Sequence, residues 1–285
     1  MSNRTHAPMC LCLLVVAILS VQVRADLIDA SLIMRLSFND PSSGTVMDDT
    51  SPSGLHDGAN SDPHYIASAT DSLSRTRTGL MQFQAAHPDQ AVVPAHADFN
   101  TSSGTFSFWM KSAGTVSPGN EGAILFDRRT ATGNVLYQRT DGRLAVQATY
   151  SGGNVQLGFS TTGTVSDDLW HHIAYAYNGA PSATNTIYID GVGTSANNGS
   201  SGWSWPTTQE LEIGRSYDGY WYRYNGLFDD FRVYNRMLTL TEINDIRASV
   251  EGGDIPEPAS LALLGAGLAG LVRYARRTRR TRWLA

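Results

Sequence analysis

Cysteine is almost missing from this sequence. Two occur in 285 residues, Cys10 and Cys12, and both fall in an N-terminal stretch that reads as a removable leader. A chain trimmed there keeps no thiol, which excludes a disulfide framework and cysteine chemistry. Charge is also scarce, at 16% of residues against about 25% in an average soluble domain. Acidic residues are absent from both ends. All 26 lie between Asp26 and Glu257, where 13 basic residues leave a net charge of −13 and Lys111 is the single lysine. An acidic body repels a phosphate backbone, so nucleic acid is excluded as a partner, while a cation or a neutral glycan suits it. No serine nucleophile elbow, phosphate loop or dinucleotide fingerprint is present. No Cys, His or Glu recurs at zinc-like spacing. The composition also excludes a coiled coil and a polytopic membrane protein.

The ends read as addresses. Residues 1–25 have the form of a signal peptide: Arg4 and His6, an apolar run from Leu11 to Leu19, and Ala25 as the small residue at a cleavage point. At the other end, 251–258 is a linker that closes on Pro256-Glu257-Pro258. Fourteen apolar or small residues follow, Ala259 to Val272, and six arginines lie beyond them. Fourteen helical residues rise roughly 21 Å, short of a ~30 Å hydrocarbon core. Snorkelling arginines and local thinning cover the gap. The expectation is a short membrane helix over 259–273 and an Arg-rich tail over 274–285 held on the cytoplasmic side. The order Pro-Glu-Pro, apolar stretch, arginine cluster resembles the PEP-CTERM sorting signal of Gram-negative bacteria. That resemblance implies an exosortase-type processing enzyme as partner, transient anchoring in the inner membrane, and delivery to the envelope or exopolysaccharide matrix.

Residues 26–250 read as one all-β domain. Leu32, Met34, Leu36 and Phe38 alternate with Ile33, Arg35 and Ser37, and Phe106, Phe108 and Met110 alternate with Ser107 and Trp109. Leu144, Val146, Ala148 and Tyr150 form a third face, and Ile173, Tyr175 and Tyr177 a fourth. Leu227, Phe231 and Val233 share parity, and so does Asp229. Asp141-Gly142, Gly152-Gly153 and Asp190-Gly191 are hairpin turns by composition. The one good helix signal is the capping box Thr239-x-x-Glu242 followed by Ile243, Ile246 and Val250. Roughly twelve strands and one helix in this length predict a two-sheet antiparallel jelly-roll sandwich.

Particular segments sharpen this. Leu36-Ser37-Phe38-Asn39-Asp40, Phe106-Ser107-Phe108-Trp109-Met110-Lys111, the hairpin Trp170-His171-His172-Ile173-Ala174 with Ile187-Tyr188-Ile189-Asp190-Gly191, and Gly226-Leu227-Phe228-Asp229-Asp230-Phe231-Arg232-Val233 resemble a laminin G-like domain. The resemblance spans about Leu32 to Ile246 and implies the concanavalin A-like lectin/glucanase sandwich. Fold does not fix function, since such sandwiches host lectins, adhesion modules, glucanases and lyases.

Catalysis is not expected. The glucanases of this fold carry Glu-x-Asp-x-x-Glu on one strand, and that motif is absent. Glu210-x-Glu212 comes nearest, without a third acid, and reads as an exposed strand edge. His171 and His172 point to opposite faces of a strand and read as packing beside Trp170. His56, His64, His87 and His96 lie in turn-rich stretches without a cluster. A structural Ca²⁺ is the expected metal, held by Asn39, Asp229 or Asp230 with backbone carbonyls. In the resembling sandwiches the first and last strands pair and such an ion often sits near them; pairing of Asp229 with Arg232 or Arg35 is the alternative. The binding expectation rests on seven aromatics in the 22 residues from Trp203 to Tyr224. Trp203, Trp205, Tyr220 and Trp221 are the candidates for stacking on a glycan or meeting a protein. The resulting expectation is an exported, non-catalytic sandwich that binds extracellular polysaccharide or a surface protein. The alternatives are a diverged polysaccharide-active enzyme (glycoside hydrolase or lyase) and a purely structural surface protein.

Overall fold

The computed structural model describes residues 27–39, 46–60, 64–86, 91–114, 121–150, 154–218 and 220–251. The expected signal peptide, the Pro256-Glu257-Pro258 motif, the short apolar helix, the arginine tail and the Gly152-Gly153 turn lie outside them. Among the described residues no helix is long and apolar enough to cross a membrane.

Two antiparallel eight-stranded sheets face each other. Strands are numbered along the chain. The first sheet runs β14 (Val192–Asn197), β13 (Thr184–Ile189), β12 (Trp170–Asn178), β7 (Ser103–Ser112), β16 (Gly226–Tyr234), β5 (Thr76–Phe83) and β4 (His64–Thr70), with β1 (Leu32–Leu36) also paired to β16. The second runs β11 (Asn154–Thr164), β10 (Arg143–Tyr150), β9 (Gly133–Arg139), β8 (Gly122–Arg129), β15 (Leu211–Ile213), β6 (Ala91–Val93), β3 (Gly58–Asn60) and β2 (Val46–Met47).

Period-2 patterning builds the core between them. Phe106, Phe108 and Met110 of β7 and Ile173, Tyr175 and Tyr177 of β12 meet Leu125, Phe126 and Leu136 from β8 and β9, and Leu144, Val146 and Ala148 from β10. The rings pack closely: Phe106 stacks on Phe126 at 4.1 Å and Phe108 on Phe231 at 5.1 Å. On the outer face of the first sheet Trp109, Trp170, Leu80 and Leu227 form a separate cluster, so both faces of the central strands are covered.

The first and last strands pair, as expected: Leu32 to Leu36 of β1 run antiparallel to Tyr234 to Phe231 of β16. Parity along β16 is not as expected. The register shifts between Asp229 and Arg232 against β7, and Asp230 adopts φ +51°. A bulge of this kind inserts one extra residue and re-aims the side chains beyond it. Phe228 therefore joins Phe231 and Val233 in the core, while Leu227 lies on the outer face. The bulge also marks a change of neighbour, since β16 pairs with β5 through Phe228 and with β1 from Phe231 onward.

Local turn chemistry acts where the composition placed it. Asp190 and Gly191 both take positive φ, +51° and +84°, and join β13 to β14. The capping box forms at helix α1 (Leu240–Glu251): Glu242 Oε2 accepts from the Thr239 N–H at 2.7 Å, and Thr239 Oγ1 accepts from the Glu242 N–H at 3.3 Å. The helix docks Ile243 and Ile246 on Leu32, Ala174 and Tyr234 of the first sheet.

Candidate functional site

The expected aromatic cluster divides. Trp203 and Trp205 are core residues, 7% and 6% exposed, packed on each other and on Tyr177. Their loop is drawn inward by polar anchors that its Gly/Ser/Pro composition does not reveal. The Trp203 N–H donates to the Gly179 carbonyl at 2.8 Å, and Trp203 Nε1 donates to Asn198 Oδ1 at 3.1 Å. Arg128, buried and beneath the Trp205 ring, donates to the carbonyls of Phe99, Pro206 and Gln209 and to Asn100 Oδ1. This corrects the expectation that Trp203 and Trp205 offer a stacking surface.

Tyr220 and Trp221 belong to a different place, the outer face of the second sheet. Trp221 is nearly buried against Tyr137, Ile124, Val135 and Ala145. Tyr220 is 54% exposed and meets the Trp221 ring edge-on at 5.4 Å. Arg129 lies 5.3 Å from the centre of the Trp221 ring. Beside them is a cleft of about 410 Å³ lined by Arg215, Ser216, Tyr217, Asp218, Trp221 and Tyr222, together with Ala85 and Arg223. Tyr217 is also widely exposed.

The floor next to this cleft is acidic. Asp127 of β8 and Glu212 of β15 are cross-strand partners, and both are buried. Arg129 donates from Nε and Nη2 to the two oxygens of Asp127 at 2.9 and 2.8 Å, and Ser216 Oγ donates to Asp127 Oδ2 at 2.5 Å. Burial favours a neutral Arg129, but the Asp127 carboxylate outweighs it and holds the guanidinium above its ordinary value. Burial pushes Glu212 above the ordinary glutamate value, opposed by Arg215, whose Nε donates to it at 2.8 Å. Glu212 is thus not an exposed edge residue; Glu210 is exposed, outside the strand. Each carboxylate has its own arginine, Arg129 for Asp127 and Arg215 for Glu212. Sequence reasoning missed Asp127, Arg129 and Tyr137. Their signal was the i, i+2 pairing of Asp127 with Arg129, which places opposite charges on one strand face.

The acids expected to hold calcium are engaged otherwise. Asp229 accepts from Arg77 Nε and Nη2 at 2.8 and 2.6 Å. Asp230 accepts from Arg232 Nη2 at 2.5 Å and from Arg35 Nε at 2.7 Å. Burial pushes Asp229 up to about 7, with Arg77 opposing. Asn39 is exposed and lies over Gly79 of β5, where a Cβ would come within 1.8 Å of its Oδ1. The carboxylates of Asp229 and Asp230 are thus bound by guanidinium groups.

Comparison with solved structures gives the same sandwich at low identity. The binding domain of botulinum neurotoxin DC in complex with SialylT aligns at TM-score 0.60 and 15% identity over 78% of this chain and 52% of that one. The binding domain of paraclostridial mosquitocidal protein 1 aligns at 0.58 and 15%, over 75% and 51%. Domain 4 of AbnA, an extracellular arabinanase from Geobacillus stearothermophilus, in complex with arabinotriose, aligns at 0.55 and 15%, over 76% and 98%. The chain spans about half the length of the two toxin chains. No curated protein matches it. The model of the PEP-CTERM protein-sorting motif matches residues 254–280, which implies export to the cell envelope or surface. The laminin G-type model described as the concanavalin A-like lectin/glucanases superfamily matches residues 86–244. More than half of the sequence lies within that match, and the chain belongs to the concanavalin A-like lectin/glucanases superfamily.

Proposed function

We propose that this protein is an exported, non-catalytic glycan-binding sandwich that works in the envelope or the exopolysaccharide matrix. An exosortase-type enzyme would process its C-terminal motif after transient anchoring in the inner membrane. The observation that carries the reading is the cleft on the outer face of the second sheet, where exposed Tyr217 and Tyr220 flank Trp221 and the polar groups of Arg215, Ser216 and Asp218. Aromatic faces beside a few fixed polar groups suit a sugar ring, which is apolar on its flat face and polar at its rim. Support comes from structural neighbours bound to SialylT and to arabinotriose. The arginine-clasped Asp127 and Glu212 favour binding over hydrolysis.

The test is affinity electrophoresis of the full-length chain through gels cast with a panel of neutral and acidic polysaccharides. Retardation by at least one polysaccharide, lost in a Tyr217→Ala/Tyr220→Ala double variant that melts like the parent, is the expected result. Unchanged mobility in every gel overturns the glycan reading in favour of a purely structural role. Release of reducing sugar that disappears in Glu212→Gln would instead establish an enzyme.

A further inference from the structure

Two histidines that are far apart in sequence meet at one end of the sandwich. His56 lies in the loop between β2 and β3, while His96 and Asp98 belong to the 3₁₀ turn after β6. Pairing of Ala59 in β3 with Val92 in β6 brings them together. His56 Nε2 is 3.3 Å from His96 Nδ1 and 3.2 Å from Asp98 Oδ2, and His96 Nδ1 is 3.3 Å from Asp98 Oδ2. We propose that His56, His96 and Asp98 form a zinc site on this chain.

The convergence of one atom from each residue on a single point argues for an occupant. Asp49 Oδ2 lies 3.3 Å from His56 Nδ1. A carboxylate can only accept, so Nδ1 carries a proton, and Nε2, which faces the Asp98 carboxylate at 3.2 Å, would give up its own proton to an ion that binds there. His96 Nδ1 accepts from the Asp98 N–H at 3.3 Å, a long bond that an ion held by Nδ1 would replace. The Asp98 carboxylate supplies the third atom. An ion at the centre would take the place of the His56 Nε2 proton and meet all three atoms at once.

The dimensions suit zinc. Ligands on bonds of roughly 2.0–2.1 Å to a tetrahedral ion lie about 3.3 Å apart, and the three separations here are 3.2, 3.3 and 3.3 Å. Two imidazoles and one carboxylate select zinc over calcium.

The support behind the ligands is also built. His56 is 2% exposed, with its ring held edge-on by Phe99 at 4.8 Å. Asp49 is fixed by the N–H groups of Arg35, Ser51 and His56 and by the Ser51 hydroxyl. A carboxylate behind a ligating imidazole sets its tautomer and strengthens it as a donor. Asp49 also bridges Leu36 at the end of β1, so an ion here would tie the first sheet to the second. Three protein ligands leave a fourth position open, and Asp98 lines an adjoining cleft of about 560 Å³.

The test uses the full-length chain purified without a histidine tag and dialysed against micromolar zinc, with metal content and melting measured together. One zinc per chain is expected, with Tm rising roughly 5–10 °C when zinc is about 100-fold above Kd. His96→Ala and Asp98→Asn change half-exposed side chains. Each should melt like the metal-free parent and lose both the ion and the rise. Cobalt(II) should give the intense visible bands of four-coordination in the parent and not in either variant. A parent that retains no zinc overturns the proposal, leaving a proton on His56 as the occupant. So does zinc retained equally by both variants.

Discussion

Arg77 joins Trp109 to Asp229. Its guanidinium carbon lies 4.2 Å from the centre of the indole ring, while Nε and Nη2 donate to one carboxylate oxygen. All three groups are buried, on the outer face of the first sheet, beside the bulge where β5 gives way to β1. The acids that a sequence reader assigns to a cation are answered by arginines from the two strands that part there, Arg77 from β5 and Arg35 from β1.

Breaking that pair should be costly. Arg77→Ala leaves a buried carboxylate without its guanidinium, and removal of one partner from such a pair costs about 3–5 kcal/mol. Arg77→Met with Asp229→Leu should recover most of the loss, because an apolar pair of similar volume needs no charge compensation. Urea denaturation of the variants measures both. Addition of millimolar calcium to the parent should leave Tm unmoved, and a calcium-dependent rise that is absent in Asp229→Asn would restore the ion.

The two groups of tryptophan and tyrosine should separate stability from binding. Trp203→Ala and Trp205→Ala open the core and should each cost about 3–5 kcal/mol. Tyr220→Ala, at an exposed site, should change stability by no more than about 0.5 kcal/mol and act on polysaccharide retention. Equal losses of stability at Trp205 and Tyr220 in chemical denaturation would contradict this division.

His171 gives a pH signature. Its Nδ1 lies 2.7 Å from Asp190 Oδ2 and its Nε2 3.0 Å from Asp167 Oδ1. Burial favours the neutral ring, but the two carboxylates outweigh it and raise the imidazole above 6.5. The folded chain therefore holds this proton more tightly than the unfolded one. The stabilisation is fully present below about pH 6.5 and is lost as pH rises through the folded value. His171→Gln should cost about 1.5–3 kcal/mol near pH 5.5 and less near pH 8.5. His172, driven down to about 3 by burial and Arg232, titrates in the opposite sense and cancels in the difference. A cost that does not vary with pH would show that His171 is neutral throughout.

What the sequence disclosed was local. Alternation in β7, β10 and β12, the Asp190-Gly191 turn and the Thr239–Glu242 box depend on neighbours within a few residues, and each forms as written. Parity along β16 failed because a single residue at φ +51°, Asp230, shifts everything after it. Trp203 and Trp205 were misplaced because Arg128, more than 70 residues upstream, pulls their loop inward. Glu212 read as an edge because its partner Asp127 is 85 residues away in sequence and adjacent only across two strands. The meeting of His56 with His96 likewise depends on the pairing of β3 with β6, and no spacing rule reaches it.

The placement of β16 bears on how such a chain is made. The strand that fills the middle of the first sheet emerges late, after residue 225, and until it does β1, β5 and β7 lack the neighbour that joins them. β16 is the strand through which β1, β5 and β7 are joined. The first sheet is therefore complete only once the chain as far as Tyr234 is available, although its first strand begins at Leu32.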